Sequence, residues 1–268
     1  MSTYRWNELG LGIVFICSIL IAGCENQANN ADGRGVFFKS AGADLRGLPG
    51  NVIEDSGTTF SRSDNLIAIL AAGGVSVIMN NTEADDKLAT NFERHRAFKG
   101  FSDESLYTIG GPGAHFALTG LWYAVSVQNG DEFNKERAWT MMRALSVTGA
   151  VTVGLKAARN NHSPNGAELA WPSGHTASSF TVASVLDEFY GPQVGIPAYT
   201  LASVVAWRMM DTGDHWGSDV VFGVTLGWVV GHTIAGEHRK LEIAGFRVLP
   251  YIAEGDRSVT GVSLVKQF

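Results

Sequence analysis

Two histidines, a carboxylate and three cations are spread through the second half of this chain: Lys156, Arg159, His175, Arg208, His215 and Asp219. His215 and Asp219 are four positions apart, so on a helix they share a face. The carboxylate can then hold one imidazole nitrogen as a donor and leave the other as a nucleophile. Pro172-Ser173-Gly174-His175 reads as a break followed by a capped helix start. Pro ends what precedes it, Ser accepts from the first free N–H groups, and Gly lets a ligand approach the backbone. A helix N-terminus carries unpaired N–H groups and partial positive charge, so it favours an oxyanion, phosphate above all. Taken singly, each feature has a plain structural reading: a helix-face pair, a helix cap, a cation at a helix C-terminus. Taken together and in order, they point to anion chemistry.

The elements that must position them are helices. Apolar periodicity predicts helices over 65–79, 114–128, 132–158, 176–190, 194–210 and 215–235. A charged helix is expected over 82–98 and a capped helix start at 102–106. Gly110-Gly111-Pro112-Gly113 and Gly191-Pro192 read as breaks. The tail alternates over 246–252 and 262–268 and reads as a β-hairpin. The expected fold is all-α: an up-and-down bundle of about six core helices with a short C-terminal β-hairpin. Short loops make neighbouring helices antiparallel. Lys156 and Arg159 end one helix, Ser173 to His175 start the next, Arg208 ends the third and His215 starts the fourth. These four ends can share one face of the bundle. That places Lys156, Arg159, Ser173, Gly174, His175, Arg208, His215 and Asp219 around one pocket, where cations and two helix N-termini converge on an oxyanion.

A net charge of −6 argues against non-specific nucleic-acid binding, and no nucleic-acid partner is expected. Residues 1–23 read as an export signal: Arg5 precedes an apolar run over 9–22 that is short for a membrane span. Leu20-Ile21-Ala22-Gly23-Cys24 resembles a bacterial lipobox, in which cleavage leaves a lipidated Cys24. Glu25 follows where an Asp would retain the protein, which by resemblance to Gram-negative lipoproteins permits sorting to the periplasmic face of the outer membrane. A lipid anchor, rather than a helix, would then hold the protein at the cell envelope. The only other cysteine, Cys17, lies inside the signal, so neither a disulfide nor a cysteine-based metal site is expected. Residues 24–62, rich in Gly, Asn, Asp and Ser, read as a tether and loosely packed lead-in, 63–240 as the helical domain and 241–268 as the hairpin. The apolar segments are read as helices buried in a soluble bundle, because charged residues such as Arg143 occur within them.

The three segments in order resemble the type 2 phosphatidic acid phosphatase family, which also contains bacterial class A acid phosphatases and vanadium haloperoxidases. The family pattern is Lys-x6-Arg-Pro, then Pro-Ser-Gly-His, then Ser-Arg-x5-His-x3-Asp. Pro172 to His175 match in full, and Arg208, His215 and Asp219 match the third motif with one extra residue before His215 and Trp207 in place of Ser. In the first motif Lys156 and Pro164 are in place, but Ser163 stands where the Arg belongs. The resemblance covers roughly residues 110–236. It implies a phosphomonoesterase domain acting on a lipid phosphate or a small phosphate ester. In that scheme His215 attacks phosphorus and becomes a phosphohistidine, Asp219 orients it, and His175 protonates the leaving oxygen. Lys156, Arg208, Ser173 and the Gly174 N–H hold the phosphoryl oxygens, and Arg159, one turn after Lys156, is the candidate to replace the missing Arg. No metal or cofactor is implied, and no metal ligand is assigned. Vanadate enters only under the alternative of a haloperoxidase, and a third reading is an inactive oxyanion-binding lipoprotein. Asp211 and Asp214 are read as capping or orienting their loop, and His162 as solvated. His95, His115, His232 and His238 are read as surface or satisfied core residues.

Overall fold

The computed structural model describes residues 31–236 continuously, with backbone strands at Leu241–Ile243, Phe246–Ala253 and Val259–Val265. The expected signal peptide and Cys24 lie outside the described residues, as does His238. Among the described residues there are nine helices. They are α1 (Ala31–Ser61), α2 (Ser63–Asn81), α3 (Ala84–Arg94), α4 (Phe101–Ile109), α5 (Pro112–Gln128), α6 (Glu132–Arg159), α7 (Gly174–Tyr190), α8 (Pro192–Asp211) and α9 (Gly217–Gly236). The all-helical expectation holds for this region. The two-stranded hairpin expected over 241–268 remains an expectation, since no side chain there is among those described.

The boundaries follow local chemistry. Asp131 caps α6 by accepting from Asn134 N at 3.0 Å, and Asn160 ends it in the left-handed conformation at φ 43°. Pro112 and Pro192 each open a helix at the first position, where a missing N–H costs no intrahelical bond. The expected lead-in is different: from Ala31 it is helix α1, packed on α5, α6 and α9. Its Gly-rich composition and Pro49 disguise this, because propensity is overridden by tertiary partners. One such partner is Arg143, whose Nε donates to Asp55 Oδ2 at 2.8 Å and whose Nη2 donates to Oδ1. This pair is what lets a charge sit inside α6.

The core is built on α7 and α9, each buried on most of its faces. Leu145 and Val147 of α6 and Leu226 and Val230 of α9 are at most 1% exposed, and a side chain of this kind contributes about 1.5–3 kcal/mol on burial. The approach of α7 to α9 depends on Gly223, Gly227 and Gly231, spaced by four on one face. A Cβ at Gly227 would stand 2.2 Å from Ala177 O, and one at Gly223 2.9 Å from Ser173 O. Both obstacles are backbone, so the helices themselves would have to separate. Gly227→Ala is therefore expected to destabilise the fold by about 1–3 kcal/mol or more. Gly154→Ala, in open space on α6, should be neutral or gain about 0.5–1 kcal/mol. Thermal denaturation of the two variants checks this.

Among the described residues two helices, α2 and α9, are long and apolar enough to cross a membrane. They differ in setting. α9 is enclosed by the bundle, whereas α2 leaves Ile67 68%, Leu70 71% and Ile78 64% exposed. That apolar outer face is more than the soluble-bundle reading anticipates.

Candidate functional site

The N-termini of α7 and α9 meet directly: Ser173 N donates to Asp219 O at 3.1 Å. Ser173 is fully buried and caps α7, its Oγ accepting from Thr176 N at 3.4 Å and from Thr176 Oγ1 at 2.9 Å. Asp219 is likewise fully buried. Its Oδ2 accepts from Trp216 N at 3.0 Å and faces His215 Nδ1 at 3.3 Å. The i, i+4 pair expected from sequence is thus formed, although His215 itself precedes the first turn of α9. His215 N donates to Met209 O at 3.0 Å, which fixes the imidazole at the turn. With Nδ1 committed to Asp219, Nε2 is the nitrogen left for chemistry. Burial lowers the His215 pKa; Asp219 opposes this, and Lys156 reinforces it. A neutral imidazole is the form that can attack phosphorus.

His175 lies one residue into α7. Its Nε2 is buried with no hydrogen-bond partner. Burial pulls its pKa down to about 3, with His215, Arg208 and His115 adding repulsion and Asp214 opposing them. A phosphoryl dianion beside the ring reverses that balance, because an opposite charge favours the imidazolium. His115, half-buried, pairs through Nδ1 with Ser178 Oγ at 3.1 Å.

The cations divide into two kinds. Lys156, in the last turn of α6, donates through Nζ to Ala170 O at 3.1 Å and to Leu169 O. It stands beside the start of α7: its Cε is 4.0 Å from where a Cβ of Gly174 would be. Arg208, 6% exposed at the end of α8, is held by carboxylates. Its Nε donates to Asp103 Oδ1 at 2.7 Å and its Nη1 to Asp214 Oδ2. The extra residue between Arg208 and His215 is absorbed in the turn at Gly213, whose φ of +73° suits glycine.

Arg159 is not gathered with the others. Its Nη2 donates to Asn80 Oδ1 at 3.0 Å, and its guanidinium lies 5.2 Å from the Trp171 ring centroid. Ser163, where the resemblance would put an Arg, is buried in a tight turn. Its Oγ donates to Asn165 Oδ1 at 2.7 Å and accepts from Ala167 N at 3.0 Å. That turn is clipped to the α8–α9 connection by Asn165 N to Gly213 O at 3.0 Å and Asn165 Nδ2 to Asp214 Oδ1 at 2.7 Å. The position has become a support for Asp214. Asp211, expected to cap or orient its own loop, holds the α3–α4 loop by accepting from Ala97 N at 2.8 Å and Phe98 N at 3.0 Å.

Sequence reasoning missed α4's share of the site. Asp103 and Tyr107 are four apart on its inner face, and with Arg208, Asp214, Gly100 and Glu104 they line a cleft of about 440 Å³. It also missed Asp85 of α3, whose Oδ1 accepts from Ser218 N at 3.0 Å and so caps α9 from outside. The i, i+4 spacing of Asp103 and Tyr107 was a visible signal, but nothing local told which face of so short a helix turns inward. No cluster of three or more metal-ligating side chains occurs among the described residues.

Fold and site define a helical bundle that sets two histidines and two cations around paired helix N-termini. Residues 80–240 match the model of the PAP2 superfamily, and the chain belongs to that family. It is 30% identical over 106 residues to a lipid A 1-phosphatase of Porphyromonas gingivalis, a match spanning 36% of this chain and 24% of that protein. The chain therefore covers about a quarter of that relative's length. Among solved structures, a transmembrane PAP2-type phosphatidylglycerolphosphate phosphatase from Bacillus subtilis aligns with a TM-score of 0.57 at 16% identity, covering 68% of this chain and 98% of that one. The likeness shows a shared fold. Aquifex aeolicus LpxE aligns with a TM-score of 0.47 at 20% identity, over 55% of this chain and 92% of that one.

Proposed function

We propose that the chain is a phosphatase that hydrolyses the phosphate monoester of a lipid through a phosphohistidine. The observation that carries this reading is the pairing of two helix starts. His215, oriented by buried Asp219, and His175, with its unpartnered buried Nε2, are joined there by the Ser173 N to Asp219 O bond. Phosphoryl transfer requires mainly positioning and stabilisation of equatorial charge, which helix N-termini and cations supply. In the first step His215 Nε2 bonds to phosphorus while the bond to the leaving oxygen breaks, and His175 gives that oxygen its proton. In the second, water attacks the phosphohistidine and His175 takes the water's proton. The phosphorus–nitrogen bond then breaks, and inorganic phosphate leaves. Lys156, Ser173, the Gly174 N–H and Arg208 hold the phosphoryl oxygens.

A lipid substrate fits the outward apolar residues of α2 and the lipid-processing relative. Membrane attachment, through Cys24 or through the apolar outer face of α2, belongs to the same proposal, as does a place in the cell envelope. The reading is tested with the full chain in detergent, given phosphatidate or p-nitrophenyl phosphate with and without chelator and vanadate. Hydrolysis that survives chelator and is blocked by vanadate is expected. Absence of hydrolysis, with bromide oxidation on adding vanadate, would reverse the proposal. Because Arg159 must leave Asn80 and Trp171 to reach a phosphoryl group, Arg159→Ala is expected to cost less kcat/KM than Lys156→Ala. Equal losses would restore Arg159 as the substitute for the absent Arg.

A further inference from the structure

We propose that Tyr107 of α4 is a positioning residue for the proton donor, its ring setting both the place of the His175 imidazole and the ease with which that imidazole takes up a proton. The proposal rests on the phosphatase reading above and assigns a role within the same site.

The Tyr107 and His175 rings are 4.6 Å apart between centroids, tilted by 35°. The Arg208 guanidinium carbon is 4.8 Å from the same Tyr107 centroid. One aromatic ring therefore touches the acid and the cation of the site together. An electron-rich ring face attracts a cation by about 0.5–2 kcal/mol, more where water is excluded. His175 is well placed to use this, since its Nε2 is buried and has no hydrogen-bond partner to fix the ring. Gly111 also lies close: a Cβ there would be 3.6 Å from Nε2. Packing between Tyr107 and the α4–α5 break is then what holds the imidazole. Tyr107 also lines the cleft beside Arg208. The charged and titratable groups around His175 are His215, Arg208, Asp214 and His115. Of these, Arg208 also meets the Tyr107 ring, so its contact changes with the ring in the Leu and Met variants and is kept in Tyr107→Phe.

The experiment compares Tyr107→Phe, Tyr107→Leu and Tyr107→Met with the unaltered full chain, by kcat and KM across pH and by ¹³C NMR titration of the His175 ring without substrate. Tyr107→Phe should keep kcat/KM within about threefold, because the ring face is retained. The Leu and Met variants should lose about tenfold or more in kcat with little change in KM. In them the alkaline limb of the profile and the His175 titration should both move to lower pH. An unchanged His175 titration in a folded Leu or Met variant would overturn the proposal, as would loss of activity in Tyr107→Phe equal to theirs. The NMR arm needs no turnover. If the unaltered chain hydrolyses no phosphate ester, the phosphatase reading fails while the titration still decides the role of Tyr107.

Discussion

His215→Ala should lose at least about 10⁴-fold in kcat, on every phosphate ester and irrespective of the leaving group. The reason is geometric. His215 is the one imidazole held by a carboxylate through Nδ1 among the site residues, at 3.3 Å from Asp219 Oδ2. Under the proposed mechanism, removing it removes the nitrogen to which phosphorus would bond. His175 does not substitute, because it approaches from the start of α7 and is fixed there by its own packing. Asp219→Asn should retain the fold but lose about 10³-fold or more, since an amide can donate to Nδ1 and select the wrong tautomer. Steady-state rates with p-nitrophenyl phosphate, alongside circular dichroism to show folded protein, check both. His215→Ala with a tenth or more of normal activity would place the nucleophile elsewhere.

The second large effect depends on the substrate. His175→Ala should reduce kcat by about 10²–10⁴-fold on a lipid phosphate, whose alkoxide leaving group needs a proton. On p-nitrophenyl phosphate the loss should be much smaller in the first step, because that leaving group departs unprotonated. Phosphohistidine should then accumulate, since the proposed mechanism also uses His175 as the base for the attacking water. The pH profile carries the same information. His175, pulled down to about 3 by burial, must regain its proton when a phosphoryl dianion binds. Its limb in kcat, which reports the bound enzyme, should therefore lie at higher pH than its limb in kcat/KM. Equal losses on the two substrates would argue that His175 is structural.

How much of this was legible in the sequence varies with range. Helix existence was legible wherever apolar period or a strong punctuator spoke. Pro112, Gly191-Pro192 and Asn160 with Ser173 bound helices close to the expected places. α1 was not legible, because Gly, Asn and Pro49 gave no apolar stripe and its stability comes from partners such as Arg143, distant in sequence. The convergence of Ser173, His175, His215 and Asp219 followed from motif order and helix polarity. The division among the cations did not. Arg208's engagement by Asp103 depends on how α4 folds against α8, and Arg159's turn toward Asn80 depends on α2. Likewise the sequence shows Ser163 in place of an Arg, while only the fold shows that Ser163 builds the turn steadying Asp214.

The identity of the group that accepts phosphorus separates a covalent route through His215 from direct attack by water. A rapid acid-free quench of the His175→Ala variant during turnover of p-nitrophenyl phosphate, followed by mass spectrometry of peptides containing His215, reads that group. The result expected is an acid-labile, base-stable phosphoryl adduct on His215 that is absent from His215→Ala. Steady turnover with unmodified His215, and ¹⁸O from water entering phosphate in a single direct displacement with inversion at phosphorus, would contradict it.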